Sequence, residues 1–465
     1  MKGIDAFDRR YSLTGYLLLL VIFLPALAFV ILNNYNTIPT FLNNSEALKQ
    51  TGLSFLYALA TAAVALIVAF PGIIIYSKCS KKIRALLRVS FAFAFCFPAV
   101  LMNMSLENEY LQLSPFFRTA VANLALNIPL IIAMVGEYLR RLDSIGTSET
   151  HFFMTVTLPK LAPALLGAFA LVLLRCMAPT GNTIVSLIFS VLFLAVLVST
   201  DKARKQIKLS SAYLPPRKGN AFTAILSFIY MAVAQCLILL PGLLLILRSV
   251  LINGRISFES YRVLFSSSLT DLGLSLAIAF VSSVIASFLS VHICVGIANT
   301  GCSLLLALLP FAVGPVALAE GYTGLYPWVG QTQAVKLIFT LLCHILILTP
   351  IQIMILLPVA RSLSGNLRKT SVSLGNTSAQ SFRHIDLALL ETDILCALFT
   401  SIAISIASFG AAETLGLSTL YYQSLRLYSE GKVTDACAIG SIILILCFIF
   451  FYMGIGHTRE GKRNV

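Results

Sequence analysis

The sequence predicts an all-α, polytopic membrane protein of about twelve transmembrane helices arranged as two parallel six-helix repeats. Three observations lead there. The chain is 58% hydrophobic and only 11% charged over 465 residues, with a mean hydropathy of +0.91, where soluble domains hold about 45–50% apolar residues. Its apolar runs are about 17–25 residues long, enough for a helix to cross roughly 30 Å of hydrocarbon. The runs are continuous rather than alternating, which excludes a closed β-barrel.

Taken in order, spans are expected at 13–32, 52–76, 86–106, 119–136, 161–178 and 182–200 in the first half. The second half repeats the series at 221–248, 270–293, 302–319, 335–358, 393–410 and 434–454. In the first run Ala26-Leu27-Ala28 imitates a signal-peptide cleavage site. The run continues through Phe29 to Leu32, so an uncleaved helix is expected. With the amino terminus inside, about 24 of the 33 basic residues fall on the cytoplasmic side and about 8 outside. Both termini are then cytoplasmic. The net charge of +14 reads as this topological bias, and no nucleic-acid partner is expected.

Segments of similar content recur about 217–229 residues apart, the mark of a tandem duplication. Phe97-Pro98-Ala99-Val100 aligns with Gly314-Pro315-Val316-Ala317, and Asn127-Ile128-Pro129 with Leu348-Thr349-Pro350. Six spans per half give both halves the same orientation. The chain divides into a first transmembrane half, 1–200, a cytoplasmic linker, 201–220, and a second half, 221–465. The linker carries Lys202, Arg204, Lys205, Lys208, Pro215, Pro216, Arg217 and Lys218.

The most informative repeat is a polar loop. Ser144-Ile145-Gly146, His151-Phe152-Phe153 and Thr157-Leu158-Pro159 recur as Ser373-Leu374-Gly375, Ser381-Phe382-Arg383-His384 and Asp386-Leu387-Ala388. Gly146 and Gly375 suit turns between short helices, since glycine accepts positive φ at no steric cost. Pro159 and Pro163 fit the first turns of a helix. A short helix between glycine and proline would offer Phe152, Phe153 and Phe382 to a partner. One such loop alone reads better as an interfacial anchor; two with the same spacing favour docking.

These loops resemble the cytoplasmic loop of inner-membrane permeases of ATP-binding-cassette importers, E-A-A-x-x-x-G-x(9)-I-x-L-P. Gly146 with Leu158-Pro159, and Gly375 with Leu387, match it; Ala388 replaces the second proline, and Arg140-Arg141-Leu142 and Lys369-Thr370-Ser371 stand in place of E-A-A. The resemblance implies the type I importer permease fold, a bacterial inner-membrane location, and coupling helices docking on separate ATPase subunits, two copies in all. It also implies a substrate-binding protein outside the membrane. Fused two-half permeases of this kind serve thiamine and ferric iron. Ser405-Ile406-Ala407-Ser408-Phe409-Gly410, followed by Leu420-Tyr421-Tyr422-Gln423 and Leu427-Tyr428, looks like the thiamine permeases, with Ser408 where they carry Asp.

Within the spans, candidates for a translocation path are Arg175, Asn103 aligned with Glu320, and the aligned Gly181 and Gly410. Arg175 has two readings: it lines the path or pairs with an acid from the other half, or it snorkels to an interface or bonds to backbone carbonyls. His292 and His344 read as satisfied structural groups. Asp386, Glu391 and Asp393 are expected to pair with loop bases such as Arg383. The ten cysteines lack metal-ligand spacing and read as apolar fillers. There is no P-loop G-x-x-x-x-G-K-[ST], so the chain is expected to bind no cofactor and perform no chemistry, with ATP used by a partner subunit. The rivals are the same architecture importing ferric iron, an ion-coupled secondary transporter, and an intramembrane enzyme; the last needs a Ser/His or acid pair inside spans, and none is evident in sequence.

Overall fold

A computed structural model of the chain describes residues 2–35, 37–94, 97–107, 114–142, 157–176, 183–205, 221–252, 255–300, 303–363, 365–408 and 410–456. In chain order the helices are α1 Lys2–Tyr35, α2 Thr37–Asn43, α3 Ser45–Lys78, α4 Lys81–Phe93, α5 Ala99–Leu106, α6 Pro115–Leu142, α7 Leu158–Cys176 and α8 Thr183–Lys205. There follow α9 Ala221–Val250, α10 Glu259–Ser267, α11 Leu269–Thr300, α12 Leu304–Val313, α13 Pro315–Thr323, α14 Tyr326–Val329 and α15 Gln333–Ser362. The last are α16 Gly365–Ser373, α17 Ser378–Ser381, α18 Leu387–Ile406, α19 Gly410–Leu415, α20 Leu420–Ser429 and α21 Val433–Gly456. A two-residue ribbon, β1 Leu251–Ile252 with β2 Arg255–Ile256, is the one sheet among the described residues.

The protein is all-α and polytopic. Nine helices among the described residues are long and apolar enough to cross a membrane, and a bent pair brings the number to ten. Two of the twelve expected spans, 86–106 and 302–319, are interrupted. The stretch 86–106 is divided between α4 and α5, because Pro98 begins a new helix and lacks the N–H needed to continue the old one. The expected span 182–200 falls on α8, a helix of 23 residues, of which Leu187–Asp201 is the apolar part among the described residues. At 302–319, α12 and α13 meet at 79°, with Gly314 at φ 80° and Pro315 opening α13.

The chain forms two compact units. Unit 1 comprises Met1–Asn36, Arg262–Gly431 and Ile442–Val465; unit 2 comprises Thr37–Tyr261 and Lys432–Ser441. Thus α1, from the beginning of the chain, packs among the elements of the second half, and α9 packs among those of the first. This division follows packing, whereas 1–200 and 221–465 follow the repeat in sequence.

Close approach in unit 1 depends on small residues, the usual device where lipid competes equally for apolar side chains. A Cβ on Gly296 of α11 would fall 1.7 Å from Ser12 Oγ, and one on Gly321 of α13 only 2.2 Å from the Ala26 carbonyl oxygen. Polar bonds between helices add to this: Tyr322 Oη donates to the Ile22 carbonyl at 2.7 Å, Ser290 Oγ to Thr349 O at 3.1 Å, and Gln352 Nε2 to Ser283 O at 3.1 Å. In unit 2, Gly136 lets α6 meet the Tyr76 ring of α3, and Gly72 lets α3 meet Ile132 and Tyr230. Asn123 Nδ2 donates to Tyr57 Oη at 3.0 Å.

Candidate functional site: the loop 365–386 and its buried anchor

The second repeated loop lies in unit 1 and is a helix–turn–helix. Helix α16 closes on Leu374-Gly375-Asn376, where Asn376 N donates to Ser371 O at 3.3 Å and Gly375 N to Val372 O at 3.1 Å. This is the Schellman arrangement, which requires a left-handed residue past the helix end. Gly375 supplies it, with φ 99°. Thr377 then caps α17: its Oγ1 accepts from Gln380 N at 3.2 Å, while Gln380 Oε1 accepts from Thr377 N at 2.9 Å, a reciprocal capping box. A π-helical turn, Phe382–Asp386, leads into α18, which begins at Leu387.

What this loop presents outward differs from the expectation. Phe382 is buried, 4% exposed, with its ring 4.9 Å from Tyr11 and 5.9 Å from Phe7 of α1. It is an anchor to the interior, because helical phase turns it and Ser381 inward together. The loop's most exposed apolar side chain among the described residues is Leu374, 80% exposed at the tip of the turn, with Leu367 of α16 at 53%.

Beneath the loop sits a buried charge cluster. Arg368 of α16 donates from Nη2 to Asp8 Oδ1 at 2.7 Å and from Nη1 to Asp8 Oδ2 at 3.0 Å. Its Nη1 also lies 3.2 Å from Asp386 Oδ2. Asn299 of α11 donates to Asp8 Oδ2 at 3.0 Å. The guanidinium carbon is 5.6 Å from the centroids of both Phe7 and Phe382, so the planar cation has aromatic neighbours as well as a bidentate acceptor. Asp8 is 1% and Arg368 4% exposed. Asp386 is expected to pair with a loop base such as Arg383; the base it meets is Arg368, while Arg383 is exposed. A cavity of about 390 Å³ adjoins the cluster, bordered by Asp5, Asp8, Asn299, Arg368, Lys369 and Asp386.

This arrangement has no reacting group. One guanidinium thus ties α16 to α1 through Asp8 and to the start of α18 through Asp386. Sequence reasoning missed Asp8 and Arg368 because the pair is 360 residues apart and neither stands in a motif.

The remaining candidates are scattered. Gly146, Phe152, Phe153 and Gly181 lie outside the described residues. Leu158 and Pro159 open α7 in unit 2. Arg175 Nη2 donates to the Ala94 carbonyl at 3.3 Å. Asn103 is half-buried in α5 with its Oδ1 buried and unbonded, and Glu320 is half-buried in α13. Gly410 begins α19, where a Cβ would meet Val316 Cγ2 at 2.8 Å. His292 Nδ1 lies 2.7 Å from the Phe288 carbonyl, and the ring stacks on Tyr11. His344 is not fully satisfied: its Nδ1 lies 2.6 Å from Ser405 Oγ, but its Nε2 is buried without a partner. The Ser/His pair that sequence did not reveal therefore exists in unit 1, beside a cavity of only about 10 Å³ bordered by Ser408, Thr419 and Tyr421. That space is about the size of one water. Among the described residues no group of His, Cys, Asp and Glu side chains is placed to hold a metal. Comparison with protein-family models, with curated proteins and with solved structures finds no match in any of the three.

Proposed function

We propose that the chain is the permease subunit of an ATP-driven importer of the ATP-binding-cassette type, with two coupling loops that dock on separate ATPase subunits. The observation that carries the reading is the second loop. It is a capped helix–turn–helix with an exposed leucine at its tip and a buried ionic joint behind it, which suits a part that receives force and passes it inward. Two further features support the two-half layout: new helices begin at the aligned Pro98 and Pro315, and the first helix of each half packs with the other. Twelve crossings, cytoplasmic termini and a bacterial inner-membrane location belong to this proposal, as does an external binding protein that delivers cargo. Thiamine is the favoured solute on the residues 405–432; ferric iron is the alternative.

Co-purification tests the reading. A subunit bearing a P-loop should accompany the wild-type chain from native membranes and be lost on Gly375→Val, whose β-branched side chain strains the left-handed turn. Solute uptake driven by a proton gradient, with no ATPase present, would exclude it.

A further inference from the structure

The short helix α14 of unit 1 turns an aromatic ring outward. Trp328 is the chain's one tryptophan and is 70% exposed, with Val329 beside it at 50%. The backbone beneath them is fully bonded. Trp328 N and Val329 N both donate to the Leu325 carbonyl, at 3.0 and 3.2 Å, and Gly330, at φ 79°, closes the turn by donating to Tyr326 O at 2.8 Å. The ring itself is placed by α1. Gly324 leaves room for Phe29, since a Cβ there would come 2.5 Å from Phe29 Cδ1, and the indole lies against that same Phe29 ring with centroids 5.4 Å apart. Tyr326 meanwhile stacks on the buried Phe339 of α15 at 5.9 Å. One aromatic of α14 is thus tied to the interior and the other is displayed.

Its position says what covers the displayed ring. The exposed apolar side chains of two membrane-crossing helices run up to α14: Leu17, Val21, Leu24 and Leu32 on α1, and Ile338 on α15. The far end of α1 carries Asp8, whose charged partners keep it out of hydrocarbon. Asp8 and Phe29 are about 30 Å apart along that helix at about 1.5 Å per residue, which matches the thickness of the hydrocarbon layer. A bilayer with Asp8 at one boundary therefore has Phe29 and Trp328 at the other. Residues 321–335 include no charged side chain, and the apolar Trp328-Val329 gives way at once to the exposed, uncharged Gln331-Thr332-Gln333. That gradient from apolar to wet is the one an indole suits, with its apolar body and single N–H donor. We infer that α14 is an interfacial anchor, with Trp328 and Val329 seated in the lipid headgroup layer at the end of unit 1 remote from Asp8. The partner is the bilayer itself, continuous with the lipid-facing sides of α1 and α15.

A single tryptophan makes the test direct, because all indole fluorescence comes from position 328. The full chain is reconstituted in phosphatidylcholine vesicles and its emission is quenched from two sides. Acrylamide acts from the water; phosphatidylcholine brominated either near the ester end or near the methyl end of its acyl chains acts from the lipid. The ester-end bromines are expected to quench at least about twofold more strongly than the methyl-end bromines, with the emission to the blue of free tryptophan. Val329→Asp, which puts a charge on the seated edge, should raise quenching by acrylamide about twofold or more. Gln331→Asp, in the wet segment, should leave it unchanged; if the two substitutions act alike, seating of that edge does not shield the ring and the inference fails. An indole as open to acrylamide as free tryptophan would overturn it, leaving the ring to water or to a protein absent from the vesicles. Stronger quenching by the methyl-end bromines would place the ring in the hydrocarbon core, and no quenching from either side would place it inside the protein; each result also overturns the inference. Elution profile and circular dichroism of each variant show that it is folded.

Discussion

Replacing Arg368 by Gln should be among the most damaging single changes in unit 1. The guanidinium lies 2.7 and 3.0 Å from the two oxygens of Asp8 and 3.2 Å from Asp386. Its removal leaves two carboxylates facing each other in a site where Asp8 is 1% exposed. Breaking a buried pair by deleting one partner costs about 3–5 kcal/mol, chiefly because the surviving charge is stranded. Asp8→Asn should cost less, about 1–3 kcal/mol, because Arg368 keeps Asp386 and the amide still accepts one hydrogen bond. The double variant should be more stable than the sum of the two losses predicts, by about 1–3 kcal/mol. An internal control exists in Arg426–Glu430, 3.6 Å apart with side chains 52% and 42% exposed; Arg426→Gln should cost about 0–1 kcal/mol. The assay is unfolding of the purified chain in mixed micelles by a denaturing detergent, read as a double-mutant cycle. If Arg368→Gln costs no more than the exposed control, or if the two changes add without coupling, the cluster is not the joint described above.

Other outcomes follow from the same geometry. Gly321→Ala should destabilise by about 1–3 kcal/mol, since the new Cβ meets the Ala26 backbone. Gly296→Ala clashes with Ser12 Oγ and Cβ, while the Ser12 Cα lies at an ordinary 3.5 Å, so Ser12→Gly should rescue it and not the former; equal behaviour in thermal unfolding would contradict the packing. Ser405→Ala removes the partner of His344 Nδ1 and should cost about 1–3 kcal/mol through the stranded imidazole, whereas a neutral result would show the ring to be otherwise satisfied. Gly375→Asn should be tolerated better than Gly375→Val, since Asn accepts the left-handed region; circular dichroism melts that rank them the other way would deny the turn.

The all-α membrane class was legible because burial in lipid needs nothing more specific than long apolar runs. The turn at Gly375 was legible for a local reason, the chemistry of glycine at a helix end. Broken spans were harder. Pro98 and Pro315 were visible as aligned residues, yet Pro129 and Pro350, also aligned, sit within continuous helices. Proline alone does not say whether neighbouring helices will satisfy the freed carbonyl. The direction of Phe382 was misjudged because an aromatic ring in a polar loop suits a partner's groove and an internal anchor equally. Its true neighbours, Phe7 and Tyr11, are more than 370 residues away in sequence. Asp8–Arg368 and His344–Ser405 were illegible for the same reason: long-range pairs leave no spacing to read.

The central claim is that the loop 365–386 docks on an ATPase subunit through its exposed tip. A photo-crosslinking residue at position 374 tests it most directly, since Leu374 makes up the outermost apolar surface of the turn and its replacement should change stability by less than about 0.5 kcal/mol. Illumination in native membranes should join the chain to a protein that contains a P-loop, with nucleotide altering the yield, while the same residue at the buried position 382 should give only intramolecular products. Crosslinks from position 374 to lipid alone would contradict the account and return the loop to the simpler role of an interfacial anchor.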